Sequence, residues 1–171
     1  MARVKSDPKA KSSKLEARSL AIDPGYDRVG VAVFKGKNIV FSTCYSPDKG
    51  PFPKRLAAVY SFVCDMIKTY HPESLALETL FFSKNVKTAI AVAEARGVIE
   101  LAAAMHNIPL YEYSPQAVKI AVTGSGNAAK DAVIRMVERL VPLEKRKRLD
   151  DEYDAIALGI AHTATRVLST R

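Results

Sequence analysis

Acidic residues are scarce in this chain relative to basic ones: 18 Asp and Glu stand against 26 Lys and Arg among 171 residues, a net charge of +8 and a pI near 9.5. A surplus of that size points to polyanionic partners, nucleic acid ahead of an anionic membrane surface, with a merely solubilising charge as the ordinary alternative. Cysteine is scarcer, at two positions. Cys44 and Cys64 form neither a CxxC pair nor a Cys/His cluster, so the simplest expectation is two small core residues in a reducing cytoplasm. Long apolar runs are missing too. None approaches the ~18 residues of a membrane span. Residues 1–18 carry six basic side chains against two acidic ones, and they lack the apolar stretch of ~7 to 15 residues that a secretory signal needs. They read as a basic, disordered N-terminal extension holding half of the net charge, and residues 19–171 as one domain.

From residue 19 the apolar periodicity becomes legible. Ser19–Asp23 and Val29–Phe34 are short apolar runs parted by Pro24-Gly25, and Lys35-Gly36-Lys37-Asn38 turns the second into Ile39–Tyr45; three strands in a meander follow. Leu56, Val59, Tyr60, Val63, Met66 and Ile67 then keep helical spacing up to His71-Pro72. Ser74–Glu78 is a fourth strand, 85–106 a long alanine-rich helix, and Leu110–Tyr113 a fifth strand. Helices over 115–122, 128–141 and 151–168 complete the chain. This order predicts an α/β fold with a mixed five-stranded sheet, its first three strands an antiparallel meander, and helices on both faces. The wheel of the last helix predicts a buried stripe of Tyr153, Ile156, Ala157, Ile160, Ala164 and Val167.

Four acids stand in unusual places. Asp23 and Glu78 each end an apolar strand, where a buried carboxylate without a partner is costly. If the first and fourth strands are parallel neighbours, both reach the carboxyl edge of the sheet, the usual location of sites in open α/β folds. Asp151 and Asp154 share the start of the last helix, ~60° apart around its axis, so they can serve one site. Acids in a first helical turn are also ordinary capping residues. Together the four suit hard divalent cations: two such ions about 4 Å apart can activate a water and stabilise the leaving oxygen of a phosphodiester.

The residues also carry a resemblance. Ala21-Ile22-Asp23-Pro24-Gly25, Leu77-Glu78 with 81–85, Ala95-Arg96-Gly97, Gln116-Ala117-Val118-Lys119, Gly124 to Lys130 and Asp151 to Ala157 stand in the order and at the spacings of RuvC, the bacterial Holliday-junction resolvase. The resemblance spans residues 18–165. It implies an RNase H-like fold, a homodimer built on the long alanine-rich helix, and metal-dependent paired nicking of two like-polarity strands of a four-way DNA junction. The ends would be 5′-phosphate and 3′-hydroxyl, and the cofactor Mg²⁺ or Mn²⁺, two ions per site. The family's catalytic and metal-binding acids fall on Asp23, Glu78, Asp151 and Asp154; in some members the third is His. A RuvAB-type branch-migration partner and a bacterial cytoplasmic location are implied as well, and no membrane.

The basic residues fit the same picture but have plainer readings. Lys119 and Lys130 flank Gly124-Ser125-Gly126 and read as surface lysines; the resemblance makes them active-site lysines near the cut phosphate. Phe81 would ordinarily be core, yet between Glu78 and the lysines Lys84 and Lys87 it could stack on an unpaired base while they hold phosphate. Lys145, Arg146, Lys147 and Arg148 form either a solvated loop or a backbone clamp leading into the acidic helix. His71 and His106 read as surface positions, and His162 as too far from Asp151 to share its site. The rival readings are another RNase H-like nuclease, acting on RNA–DNA hybrid or of transposase type, and a junction-binding protein without activity. A third rival, a sugar-kinase or actin-like ATPase, also carries an Asp-x-Gly hairpin in its first strands, but its two-domain length is absent here.

Overall fold

The computed structural model describes residues 17–80 and 86–168, leaving aside the side chains of residues 86, 87, 167 and 168. The extension expected over residues 1–18 falls almost wholly outside that range. Five strands, β1 (Arg18–Asp23), β2 (Val29–Lys35), β3 (Asn38–Tyr45), β4 (Ser74–Glu78) and β5 (Leu110–Tyr113), form one sheet in the order β3-β2-β1-β4-β5. β1 pairs antiparallel with β2 and β2 with β3, as tight turns require, whereas β4 pairs parallel with β1 and with β5. The parallel pairs are made possible by helical crossovers: α1 (Phe52–Tyr70) lies between β3 and β4, and α2 (Val86–Met105) between β4 and β5. Helices α3 (Pro115–Thr123), α4 (Lys130–Leu140) and α5 (Asp150–Leu168) follow.

Local chemistry explains several boundaries. Pro115 opens α3 behind Ser114, whose hydroxyl accepts from the Ala117 N–H at 3.1 Å, a cap that satisfies one orphan donor. At the end of α1, His71 turns left-handed at φ 47° ahead of Pro72. The strands stand within one residue of their predicted ends, and α2 to α5 within two.

Strand alternation sorts the core into two layers. Leu20, Ile22, Leu75 and Leu77 join Val31 and Val33 under α1 and α2. Their neighbours Ala21, Ala32, Phe34 and Ala76 face α3, α4 and α5. The stripe predicted for α5 needs correction: Ile156 and Ala157 are buried as expected, but Tyr153 and Ile160 are half-buried and Ala164 is exposed. Buried in addition are Glu152, Ala155, Leu158, Ala161 and His162. The helix is covered by the sheet on one side and by α3 and α4 on another, so a wheel with a single apolar face describes it poorly. Among the described residues no helix is long and apolar enough to cross a membrane.

Candidate active site

Alternation within β1 and β4 places the first two acids. Ala21 and Ala76 face α5, so Asp23 and Glu78, each two residues further on, emerge on that same face. The parallel register sets Ile22 beside Leu77, which brings Asp23 and Glu78 to neighbouring positions at the carboxyl edge. Asp151 and Asp154 reach the same place from the first turns of α5. Their approach depends on Gly30 of β2: a Cβ there would lie 1.8 Å from the Asp151 carbonyl oxygen and 3.2 Å from the Asp23 Cβ. Only a residue without a side chain lets the helix come that close.

The carboxylates sense one another. Burial, then Glu78, Asp154 and Asp151, hold the Asp23 carboxyl well above its usual range, with Lys130 opposing. Burial followed by the charge of Asp154 pushes Glu78 up to about 7, against Lys119 and Lys130. Asp154 is raised by burial against the hydrogen bond and charge of Lys130. Crowded, partly desolvated carboxylates of this kind gain from a bound cation.

In the described structure the cations within reach are side chains. Lys130, at the start of α4, bridges Asp154 at 3.1 Å and Asp150 at 3.2 Å. Burial pulls its ammonium down, and these two partners outweigh that and raise it. Arg28 Nε lies 3.1 Å from Asp151 Oδ2. Three acids are so engaged, and no three His, Cys, Asp or Glu side chains among the described residues are already gathered closely enough to hold an ion. The donor set nevertheless fits a hard divalent metal: four carboxylates, all oxygen donors, with Asp23 and Glu78 raised chiefly by burial and then by neighbouring carboxylates, Glu78 for the first and Asp154 for the second.

Other predicted residues are distributed as follows. Lys119 on α3 is near enough to Glu78 to lower its carboxyl. Phe81 and Lys84 lie outside the described residues, as does the side chain of Lys87. In the loop before α5, Lys145 and Lys147 are exposed. Arg146 reaches both Glu152, which is 2% exposed, and the Ser42 carbonyl oxygen at 3.0 Å. The Arg148 side chain is 4% exposed and is turned inward, 3.1 Å from Glu152 Oε1 and 2.7 Å from the Glu144 carbonyl oxygen. The outward position expected of Arg148 is not what the structure has, because its charge balances a buried carboxylate, which Arg146 shares.

Several contributors carried no signal in the residue pattern. Arg28 is one, hidden by an ordinary turn. Arg96 on α2 stands in a motif of the resemblance, which gives it no role: it is buried, pairs with Glu100 at 2.7 Å and with Glu112, and donates to the Glu78 carbonyl oxygen, fixing the end of β4. Cys64 is buried as expected, but Cys44 is half-buried with its Sγ 3.9 Å from Asp151 Oδ2, and burial followed by that charge pushes its thiol up to about 11. His162 stands apart from the carboxylates, as expected, but is fully buried between the Ser74 hydroxyl at 2.8 Å and the Tyr113 hydroxyl at 2.9 Å. Burial holds it down to about 4, hence neutral.

A mixed sheet in this order, with acids from β1, β4 and α5 converging on one carboxyl edge, defines an RNase H-like nuclease fold. The resolvase Ydc2 of yeast mitochondria shares it, with a TM-score of 0.64 over 89% of this chain and 81% of that one at 12% identity. Residues 19–162 match the family model for crossover junction endodeoxyribonuclease RuvC, and the chain belongs to that family. RuvC of Petrotoga mobilis is 43% identical over 148 residues, covering 84% of this chain and 91% of that protein. The Thermotoga maritima protein is 39% identical over 150 residues, 85% of this chain and 89% of its own. Thermus thermophilus RuvC, solved in complex with Holliday junction substrate, superposes with a TM-score of 0.84 at 28% identity, covering 90% and 97% of the two chains.

Proposed function

We infer that the chain is an endodeoxyribonuclease that resolves four-way DNA junctions in recombination and repair, and that it depends on a divalent metal. Family membership supports the activity, and the junction complex of the Thermus protein supports the substrate. The observation that carries the reading to particular residues is the convergence of Asp23, Glu78 and Asp154, with Asp151 beside them, on one desolvated edge. These four would hold Mg²⁺ or Mn²⁺, as two ions. Bound there, the metal would supply an activated water and charge stabilisation at the leaving oxygen, chemistry that leaves 5′-phosphate and 3′-hydroxyl ends. Asp23 and Glu78, set on adjacent strands, would hold it from the sheet, and Asp154 and Asp151 from α5. Lys119 and Lys130, whose charges reach Glu78, would neutralise the phosphate, and Lys145, Arg146 and Lys147 would hold the backbone nearby. Phe81, Lys84 and Lys87 complete the proposed junction contacts.

Paired nicking of like-polarity strands needs two sites related by symmetry. On α2, Ile90, Leu101 and Met105 are 55%, 53% and 66% exposed, and with Gly97 they follow one helical stripe. That unpartnered face supports a homodimer through α2. A RuvAB-type partner and a bacterial cytoplasmic location complete the proposal. The test is a mobile synthetic junction with Mg²⁺ or Mn²⁺, cuts being mapped on all four strands. Symmetric paired nicks are expected, and Asp23→Asn should lower cutting at least ~1,000-fold, the scale of an electrostatic group lost at the reacting centre, with junction binding retained. Unpaired nicks, equal cutting of RNA–DNA hybrid, or a fully active Asp23→Asn protein would refute the reading.

A further inference from the structure

The turn between β1 and β2 is built more firmly than a connection needs. A Cβ on Gly25 would lie 2.1 Å from the Arg28 carbonyl oxygen, so the chain folds tightly back on itself there. Arg55 of α1 clasps this turn: its Nη2 donates to the Tyr26 carbonyl oxygen at 2.5 Å and pairs with Asp27, and its guanidinium lies 5.6 Å from the Tyr26 ring centroid. The Tyr26 ring in turn meets Phe52 edge-on at 6.3 Å. The product of this bracing is the location of one side chain. Arg28 extends from the turn to the mouth of the carboxylate cluster, with its Nε on Asp151 and its side chain still 48% exposed.

An arginine half open to solvent at such a point has two anions to choose from. In the absence of nucleic acid it neutralises Asp151. Once a strand lies across the site, a phosphodiester oxygen offers the same planar fork an equal partner with more accessible lone pairs. We propose that Arg28 is a phosphate-binding residue of the active centre that occupies Asp151 until nucleic acid arrives: its guanidinium transfers to a non-bridging oxygen of the bound strand, and the released carboxylate turns to the metal. DNA and metal binding are thereby coupled through one ion pair, because the carboxylate that the metal needs is freed by the phosphate. This deepens the reading above and rests on the carboxylate cluster being a metal site.

The coupling predicts effects of opposite sign from one substitution, which simple damage to the fold does not produce. In the full-length protein, Arg28→Gln should tighten Mn²⁺ binding to the DNA-free enzyme, read by electron paramagnetic resonance, by about two- to five-fold, the range for an exposed ion pair. The same variant should bind a four-way junction in EDTA about ten-fold more weakly, with the salt slope of log affinity reduced by about one. Arg28→Lys, which keeps the charge but not the fork, should fall between parent and Gln on both measures. Either effect without the other, both affinities falling together, or no change in either overturns the inference. Asp23→Asn separates the two levels. If it leaves Mn²⁺ binding intact, the metal-site reading fails and the coupling with it; if it abolishes binding while the Arg28 variants behave as parent, the coupling alone fails.

Discussion

The two faces of the sheet are built from different materials. Against α1 and α2 the sheet presents Leu20, Ile22, Val31, Val33, Leu75 and Leu77, large aliphatic side chains that exclude water. Against α5 it presents Ala21, Ala32 and Ala76, met by Ala155, Ala157 and Ala161, with Phe34 as the one large buried side chain, accommodated at Gly159, where a Cβ would lie 2.2 Å from its ring. Small residues bury less area each, but they let a helix backbone settle close to the strands. That closeness is what brings carboxylates from β1 and β4 into reach of carboxylates from α5. The polar side chains buried on this face, Glu152 and His162, are met by partners in kind, Arg146 and Arg148 for the first, Ser74 and Tyr113 for the second. One face contributes mostly area; the other holds charge at close quarters.

The largest expected effects separate these roles. Gly30→Ala should push the start of α5 off β2, since the new Cβ would meet the Asp151 carbonyl oxygen at 1.8 Å. A displacement of about 1 Å at catalytic groups can cost ~100-fold in rate, so junction cutting should fall by about that factor while binding in EDTA changes little. Leu75→Ala on the opposite face should instead cost about 3 kcal/mol in denaturant unfolding, the usual scale for a fully buried leucine, with the cutting rate of the folded fraction unchanged. A Leu75→Ala protein that is stable but inactive would break the division.

The next contrast lies within one basic run. Arg148→Ala leaves the buried Glu152 with Arg146 as its remaining cation, and should destabilise by about 2 kcal/mol, below the full cost of an uncompensated charge. Lys147→Ala should leave stability unchanged, because the residue is exposed, and, if it holds phosphate as proposed, lower the salt slope of junction binding by about one.

That contrast also marks how far residue patterns carry. Strand alternation and helical spacing were enough for the five strands, the order of the helices and the edge at which Asp23 and Glu78 emerge, because each rests on a period that burial imposes. Glu152 defeats the same logic. An acid in a first helical turn, between two candidate ligands, belongs by default to solvent or to the site, and nothing in its spacing shows that two arginines from the preceding loop fold back to cover it. His162 fails to announce its burial for a like reason, its partners standing 88 and 49 positions away. Arg28 depends on the shape of a turn, which a Pro-Gly pair signals without saying where the side chain after it will point.

The smallest effect concerns pH, and it sharpens the comparison of faces most cleanly. A carboxyl whose folded value is raised keeps its proton in the native state after the unfolded chain has released its own, so stability is full at low pH and declines as pH rises through the interval. For Glu78 that interval runs from 4.5 to about 7, and Asp23 is shifted in the same direction. The metal-free protein should therefore melt lower at pH 7.5 than at pH 5, by on the order of 5 °C, given ~2 to 4 °C per kcal/mol at this size. Saturating Mg²⁺ should flatten the profile, since a bound cation restores the charged form, and Glu78→Gln should flatten it without metal. Leu75→Ala offers the comparison: it should lower the whole curve and leave its slope intact, because the aliphatic face has no proton to exchange. An equal slope in the Glu78→Gln protein and its parent would show that the acidic edge does not govern the pH response.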